Sequence, residues 1–300
     1  MQIREPVVAG QFYPEDRETC LAEIRACLPA EVPQEGVPAS LVGGLVPHAG
    51  WTFSGALAAL VFSTIKRQRA KVDTFVIFGA AHGYFGAQPV IDGSDAWDTP
   101  VGRMRIDESL REAVCASGTA GIDSSAHRRE HSIEVQVPFI QFLFPDARIL
   151  PIIVPANDSA MRLGTAVADV SLGHRGLKES EASNPRPPVY IGSTDLTHYG
   201  PRYGFTPMGI GSEALHWASE VNDRQFVELA LALEPGRLLA NALESGNACG
   251  PGAAAAALAA AQRLGARQGV LLAHTNSNEV MLREMGTVSR DSVGYAAIVF

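Results

Sequence analysis

The sequence predicts an α/β fold: a mostly parallel central sheet flanked by helices, with an antiparallel edge hairpin. Three observations carry that prediction. The apolar runs at residues 41–46, 74–79 and 189–191 have the length and composition of buried strands, and each gives way to polar or titratable residues at its carboxyl end. A helical stretch joins the first two runs, which is the strand–helix–strand unit of a parallel sheet. Residues 88–106 change character: Val90, Ile91, Trp97, Val101, Met104 and Ile106 are separated by Asp-Gly, Pro and Gly. That pattern predicts short antiparallel strands in an edge hairpin.

In chain order, Phe12-Tyr13-Pro14-Glu15-Asp16 predicts a helix start, with proline early and acids in the first turn, and the helix runs to about Leu28. Cys20, Ile24 and Cys27 share one face of it, which assigns both thiols to packing. Pro29 to Pro38 is a linker with prolines at 29, 33 and 38. The first strand, 41–46, delivers His48, and a helix over 54–67 places Leu57, Leu60, Val61 and Ile65 on one stripe. The second strand, 73–79, delivers His82. A short helix over 107–117 takes Asp107 as its N-cap. Residues 123–126 read as loop, and 132–142 as an amphipathic helix perturbed by Pro138. A third core strand spans 148–154 and a helix 158–172; residues 174–188, polar and proline-rich, read as an exposed loop. After the strand at 189–191 come helices at 213–233, 235–244 and 250–264, then strands at 268–275 and 292–300.

Composition narrows the function. Of 300 residues 46% are hydrophobic and 19% charged, enough apolar residue for a packed core. A net charge of -8 disfavours a nucleic-acid backbone or an anionic membrane as the main partner. No apolar run reaches the roughly 20 residues of a membrane helix. Met1-Gln2-Ile3-Arg4-Glu5-Pro6 has no apolar export segment, and the four cysteines (Cys20, Cys27, Cys115, Cys249) are scattered, so the expectation is reduced thiols in a cytoplasmic protein.

The candidate chemistry lies after the strands. In open α/β sheets, ligands collect at the carboxyl ends of the strands. His48 and His82 each follow an apolar run and stand among small residues, and imidazole suits iron, copper, zinc and nickel. A third ligand is either Asp195, giving two histidines and a carboxylate, or Cys249, which sits just before a helix where the dipole favours thiolate. His198 can exchange a proton near neutral pH, with Asp195 orienting it or completing a metal shell. A Cys249–His198–Asp195 nucleophile triad is a competing arrangement. His127-x-x-Glu130-His131 matches the H-x-x-E-H form of inverted zinc proteases, but Arg128 and Arg129 would set positive charge beside the metal. Alternatively, Glu130, His131 or Glu134 supports another site from outside its ligand set.

Ala9-Gly10-Gln11-Phe12-Tyr13-Pro14, Val46-Pro47-His48-Ala49-Gly50-Trp51, Glu130-His131-Ser132-Ile133-Glu134, Ser193-Thr194-Asp195-Leu196-Thr197-His198-Tyr199 and Cys249-Gly250 occur in this order along the chain. Together they resemble the Memo family, also called AmmeMemoRadiSam system protein B. The resemblance spans nearly the whole sequence and implies one α/β domain over 1–300, similar to class III extradiol dioxygenases, which are non-haem iron(II) enzymes. It implies a metal site of His48, His82 and Cys249, with Asp195 beside it and His198 as the acid/base histidine. Fe(II) is the implied metal, with copper or zinc as alternatives. It also implies a radical-SAM partner protein, and for animal members an adaptor role toward phosphotyrosine peptides. Three departures stand out: Gly79-Ala80-Ala81-His82 replaces the family's Gly-Pro-(Ser/Asn)-His, Trp51 stands where tyrosine is common, and the insertion 174–188 is unusually polar.

The expectation is therefore a metal-dependent oxidoreductase acting on a small molecule. Its rival is a non-catalytic adaptor that binds a peptide or ligand in the same cleft, for which Arg103, Arg105, Arg128 and Arg129 are the candidate phosphate contacts.

Overall fold

The computed structural model describes residues 1–34, 36–176 and 187–300, without the side chains of 174–176. In chain order the first half runs β1 (Ile3–Arg4), α1 (Arg17–Cys27), β2 (Gly43–Val46), α2 (Trp51–Gln68), β3 (Thr74–Gly79), β4 (Val90–Ile91), β5 (Ala96–Thr99), β6 (Gly102–Arg105), α3 (Glu108–Ala116), β7 (Gly121–Ile122), α4 (Ser124–His127), α5 (Val137–Leu143) and β8 (Arg148–Ile153). The second half runs α6 (Ser159–Gly176), β9 (Val189–Ser193), β10 (His198–Tyr199), α7 (Ser212–Trp217), α8 (Arg224–Leu231), α9 (Pro235–Ser245), α10 (Pro251–Arg263), β11 (Val270–Asn276), α11 (Ser277–Met285) and β12 (Ser292–Val299).

The main sheet has the order β10-β12-β2-β9-β3-β8-β4-β7, with β11 on the other side of β12. Its centre is parallel: β9 lies between β2 and β3, and β8 pairs with β3. β12 is antiparallel to both β2 and β11. Alternate residues of the central strands enter opposite cores. Phe75 and Ile77 pack with α1, α2 and α5. Val76 and Phe78 pack with α3, α6, α8, α9 and α10. Both faces are covered, so these strands are continuously apolar, and each fully buried Phe or Ile contributes about 1.5–3 kcal/mol. Among the described residues no helix is long and apolar enough to cross a membrane.

The alanine-rich helix α10 is buried along most of its length and packs against α6 and β9. The close approach needs small residues: a Cβ on Gly164 of α6 would lie 2.1 Å from the Ala256 carbonyl oxygen. Likewise, a Cβ on Gly250 would lie 2.6 Å from the Ser193 carbonyl oxygen. The start of α10 is thereby pressed onto the carboxyl end of β9, and Cys249 is carried there with it.

Several expectations change in detail. α1 starts at Arg17 because the Asp16 side chain accepts the Thr19 amide at 2.9 Å; Phe12 and Tyr13 belong to the preceding turn. The hairpin is present as β5–β6, but it joins β1 in a separate three-stranded sheet; β4 pairs with the main sheet, and Ile106 makes an isolated bridge to Ile149 of β8. Residues 132–142 form a 3-10 turn and then α5, because Pro138 lacks an amide proton and fits only a helix's first turn. Residues 123–126 are not a loop: Asp123 caps α4. Helix α6 extends to Gly176, beyond the expected end at 172, and the exposed loop expected at 174–188 otherwise lies mostly outside the described residues, at 177–186. The long helix after Gly211 contains a wide π turn at Ala218–Asp223, which lets the consecutive residues Asn222 and Asp223 both point inward. Helix α11, not expected from the sequence, is capped reciprocally by Asn276 and Glu279.

Candidate metal centre

β2, β9 and β3 are adjacent and parallel, so the residues after their carboxyl ends meet. His48 follows β2, Asp195 follows β9 and His82 follows β3. Cys249 is tied to the β9 loop: its amide donates to the Asp195 carbonyl at 3.2 Å, and the Gly250 amide donates to Thr194 Oγ1 at 2.9 Å. The segment Glu130–Ser132 closes the other side. Ala80 N–H donates to Ser132 Oγ at 3.0 Å, and Ser193 Oγ–H donates to the Ser132 carbonyl at 2.7 Å.

Hydrogen bonds fix the tautomer of His48. The Ser193 hydroxyl proton is committed to Ser132, so its oxygen accepts from His48 Nδ1 at 3.1 Å. Burial pushes the His48 pKa down to about 3, so the ring is neutral and its Nε2 carries a lone pair. That lone pair faces Cys249 Sγ at 3.1 Å. His82 is fixed in the same way: Nδ1 donates to Glu130 Oε1 at 3.0 Å, leaving Nε2 free for a ligand. Burial works against the His82 imidazolium, but the hydrogen bond and charge of Glu130 outweigh it and raise the pKa. Burial would push the Glu130 carboxyl up, yet its bonds to His82 and Ser132 hold it far below the usual carboxylate range. An imidazole that donates one nitrogen to an outer acceptor and presents the other inward is the arrangement of metal-ligating histidines.

Cys249 is a thiol here, not the thiolate expected at a helix start. Burial and then the Asp195 charge push it well above its ordinary 9.0, overriding the helix dipole. Asp195 Oδ1 accepts the His48 amide at 2.6 Å, and Oδ2 lies 3.9 Å from His198 Nε2. Burial opposes the Asp195 charge, but His48 and His198 lower its pKa nonetheless. His198 is about one-third exposed and stacks on Tyr203, with centroids 5.0 Å apart. The Cys249–His198–Asp195 triad is not assembled, because the imidazole facing the thiol is that of His48.

His48 belongs to two groups whose ligand atoms lie within 4.8 Å of one another: His48, His82 and His131, and His48, Asp195 and Cys249. Among the described residues, no single group that close contains both His82 and Cys249. His131, expected as a ligand only in the protease pattern and otherwise outside the ligand set, stacks on the His82 ring at 4.7 Å. The protease pattern does not assemble either. His127 is buried away from His131, with Nε2 bonded to the Val90 carbonyl at 3.0 Å. Glu134 is in neither ligand group and is held by Arg4 and Tyr13. Tyr295 of β12, which no sequence signal pointed to, has its phenol pKa raised by burial and then by the Asp195 charge.

The donor set of imidazoles, a thiol and a carboxylate fits a transition metal, and so do the two locked tautomers. A model of the Memo-like protein family matches residues 4–299. The chain belongs to the Memo-like family. It is 35% identical to a MEMO1 family protein of Methanosarcina barkeri over 301 residues, covering 99% of each chain. It is 36% identical to one of Pyrococcus abyssi over 307 residues, again 99% of each. For one of Pyrococcus horikoshii the identity is 34%, over 99% of this chain and 98% of the other. The Memo-like match therefore includes every residue of the histidine–cysteine cluster.

Proposed function

We propose that this Memo-like protein holds a metal ion between His48, His82 and Cys249 and acts as a non-haem metal-dependent oxidoreductase of the extradiol-dioxygenase type on a small molecule. Fe(II) is the proposed ion, with copper or zinc as alternatives. The observation that carries the reading is the locked pair of imidazoles. His48 and His82 each donate Nδ1–H to an oxygen outside the cluster and keep Nε2 for a ligand. A metal there supplies Lewis-acid and redox chemistry. The chain's own residues do the rest. His198 gives or takes a proton through its partly exposed imidazole, and Asp195 Oδ2, 3.9 Å from Nε2, steadies the ring. Ala49 and Ala81, beside the two histidines, leave room for a substrate. The four free thiols support a cytoplasmic setting, and the family resemblance alone supports a radical-SAM partner protein.

The test is elemental analysis of protein prepared without oxygen or chelator, beside the double variant His48→Ala/His82→Ala. Near-stoichiometric iron that falls to background in the variant is the expected result. Copper in its place redirects the reading toward metal handling. Retention of full metal content by the variant, or refusal of Fe(II), Cu(I) and Zn(II) by the native chain, overturns it.

A further inference from the structure

Tyr295 of β12 carries a hydroxyl that nothing in the fold uses. The residue is 2% exposed, and among the described residues its hydroxyl has no hydrogen-bond partner. The oxygen is not one of the unpartnered side-chain atoms shut off from solvent, so it borders accessible space. A nearly buried hydroxyl left without a partner is destabilising unless water or a ligand satisfies it.

Backbone pairing places this residue at the carboxyl ends of the central strands. β12 runs antiparallel to β2, with Ile298 opposite Leu45 and Val299 opposite Gly44. Carried past the end of β2, that register sets Tyr295 abreast of His48. Tyr295 and Val46 pack into the same core, so the ring stands on the sheet face that Val46 enters, two residues before His48. The residue before it is bonded into the Asp195–His198 loop: the Gly294 carbonyl accepts the Leu196 amide at 2.8 Å, and the Gly294 amide donates to the Thr197 carbonyl at 3.1 Å. The Asp195 carboxylate does not take the phenol proton. Its Oδ1 accepts the His48 amide, and its Oδ2 lies 3.9 Å from His198 Nε2. A phenol is protonated at neutral pH, so the unused group is a donor.

We infer that Tyr295 is a substrate-binding residue, whose hydroxyl donates a hydrogen bond to an anionic acceptor atom of the small molecule taken up beside His48 and Asp195. This rests on the metal-binding reading above and deepens it, because it names the substrate as an anion and assigns the side chain that orients it. Water satisfies such a donor, but a charge-assisted bond to an anion is about twice as strong as a neutral one. The hydroxyl therefore discriminates for an acceptor without adding a charge of its own.

The test uses azide as the anion, on the full chain loaded with Co(II) without oxygen. Tyr295→Phe removes the hydroxyl and keeps the ring that packs the core. The expected result is Co(II) affinity within about threefold of native, azide Kd weakened by about tenfold, and a shifted infrared stretch of the bound azide. Melts of the metal-free chains add a readout that separates ligand binding from structure. Tyr295→Phe melts at or above the native temperature, because the hydroxyl it lacks has no partner in the fold. Unchanged azide affinity or an unshifted stretch with Co(II) bound overturns the inference alone. So does a melting temperature lower by about 2 °C or more, which would show a structural bond. Loss of Co(II) binding in Tyr295→Phe also overturns it, since the phenol would then serve the metal and not the anion. A native chain that takes up no Co(II) overturns the inference together with the metal-binding reading.

Discussion

Glu130 and Glu134 are four residues apart in one motif, both are almost fully buried, and they do opposite work. Glu134 is saturated. It accepts from Arg4 Nη1 at 2.8 Å, from the amides of Val7 and Val8 at 2.9 Å each, and from the Tyr13 hydroxyl at 2.9 Å. Each of those donated protons is spent on Glu134, so this carboxylate fastens the N-terminal segment to the 3-10 turn before α5. Glu130 accepts from the Ser132 amide at 2.8 Å and from His82 Nδ1 at 3.0 Å. Its imidazole partner has a second nitrogen and presents it to the cluster. A buried carboxylate whose partners end there is structural; one whose partner has a free nitrogen beyond it transmits orientation to a ligand. Arg4 joins the two regions, donating from Nη2 to the Glu130 carbonyl at 2.8 Å.

The largest expected effect separates the two glutamates by stability. Glu134→Ala leaves the Arg4 guanidinium buried against Trp97 without its counter-ion, a loss of about 3–5 kcal/mol. Urea melts at neutral pH read that loss, and the metal affinity of the folded fraction stays within about threefold of native. A stable Glu134→Ala with poor metal binding would break the comparison. Glu130→Gln behaves the other way. The amide oxygen can still accept from His82, so the fold survives, but the imidazole loses its charged partner. Metal affinity falls about 10–100-fold, the range seen when such outer acceptors are removed. Calorimetric titration of the native chain and Glu130→Gln with Zn(II) checks it, and an unchanged Kd would place Glu130 with Glu134 as purely structural.

Much of this was legible in the sequence because the information was local. The central strands are continuous apolar runs, and His48, His82 and Asp195 follow three of them, so strand ends alone placed those residues together. Asp107 capped its helix as read. The cap at Asp123, followed by two serines, and the Asn276/Glu279 pair were equally local signals that went unread. What lay out of reach was closure over distance. His131 enters the cluster because Ser132 is bonded to Ala80 and Ser193, 52 and 61 residues away. No spacing rule encodes that. For the same reason Cys249 meets His48 and not His198. The hairpin was readable, but its partner β1, two residues at the N-terminus, was not. The π turn was invisible too, since Asn222 and Asp223 show only as two polar residues in a helical pattern.

That π turn supports the last and smallest prediction, which sharpens the contrast by adding a third buried carboxylate. Asp223 Oδ1 accepts the Thr197 amide at 2.9 Å, just before His198, and Oδ2 faces His274 Nε2 at 3.2 Å. Gly294 makes room for it, since a Cβ there would lie 1.9 Å from Oδ2. Like Glu130 it pairs with a histidine, but His274 belongs to neither of the ligand groups around His48. Burial opposes the His274 charge, while Asp223, then Glu220 and Glu279, raise its pKa above the ordinary 6.5. A raised folded-state pKa means that the folded chain holds this proton more tightly than the unfolded one. The resulting stability is fully present below pH 6.5 and is lost as pH rises through the higher folded value. The raised pKa of Asp223, which burial drives, acts with the same sign at lower pH. His274→Gln should therefore be less stable than the metal-free native chain by about 1 kcal/mol below neutrality, and the gap should narrow in alkaline buffer. Paired thermal melts across that range test it. A gap that widens with pH would mean that His274 is neutral in the fold and that Asp223, not the histidine, carries the proton of the pair.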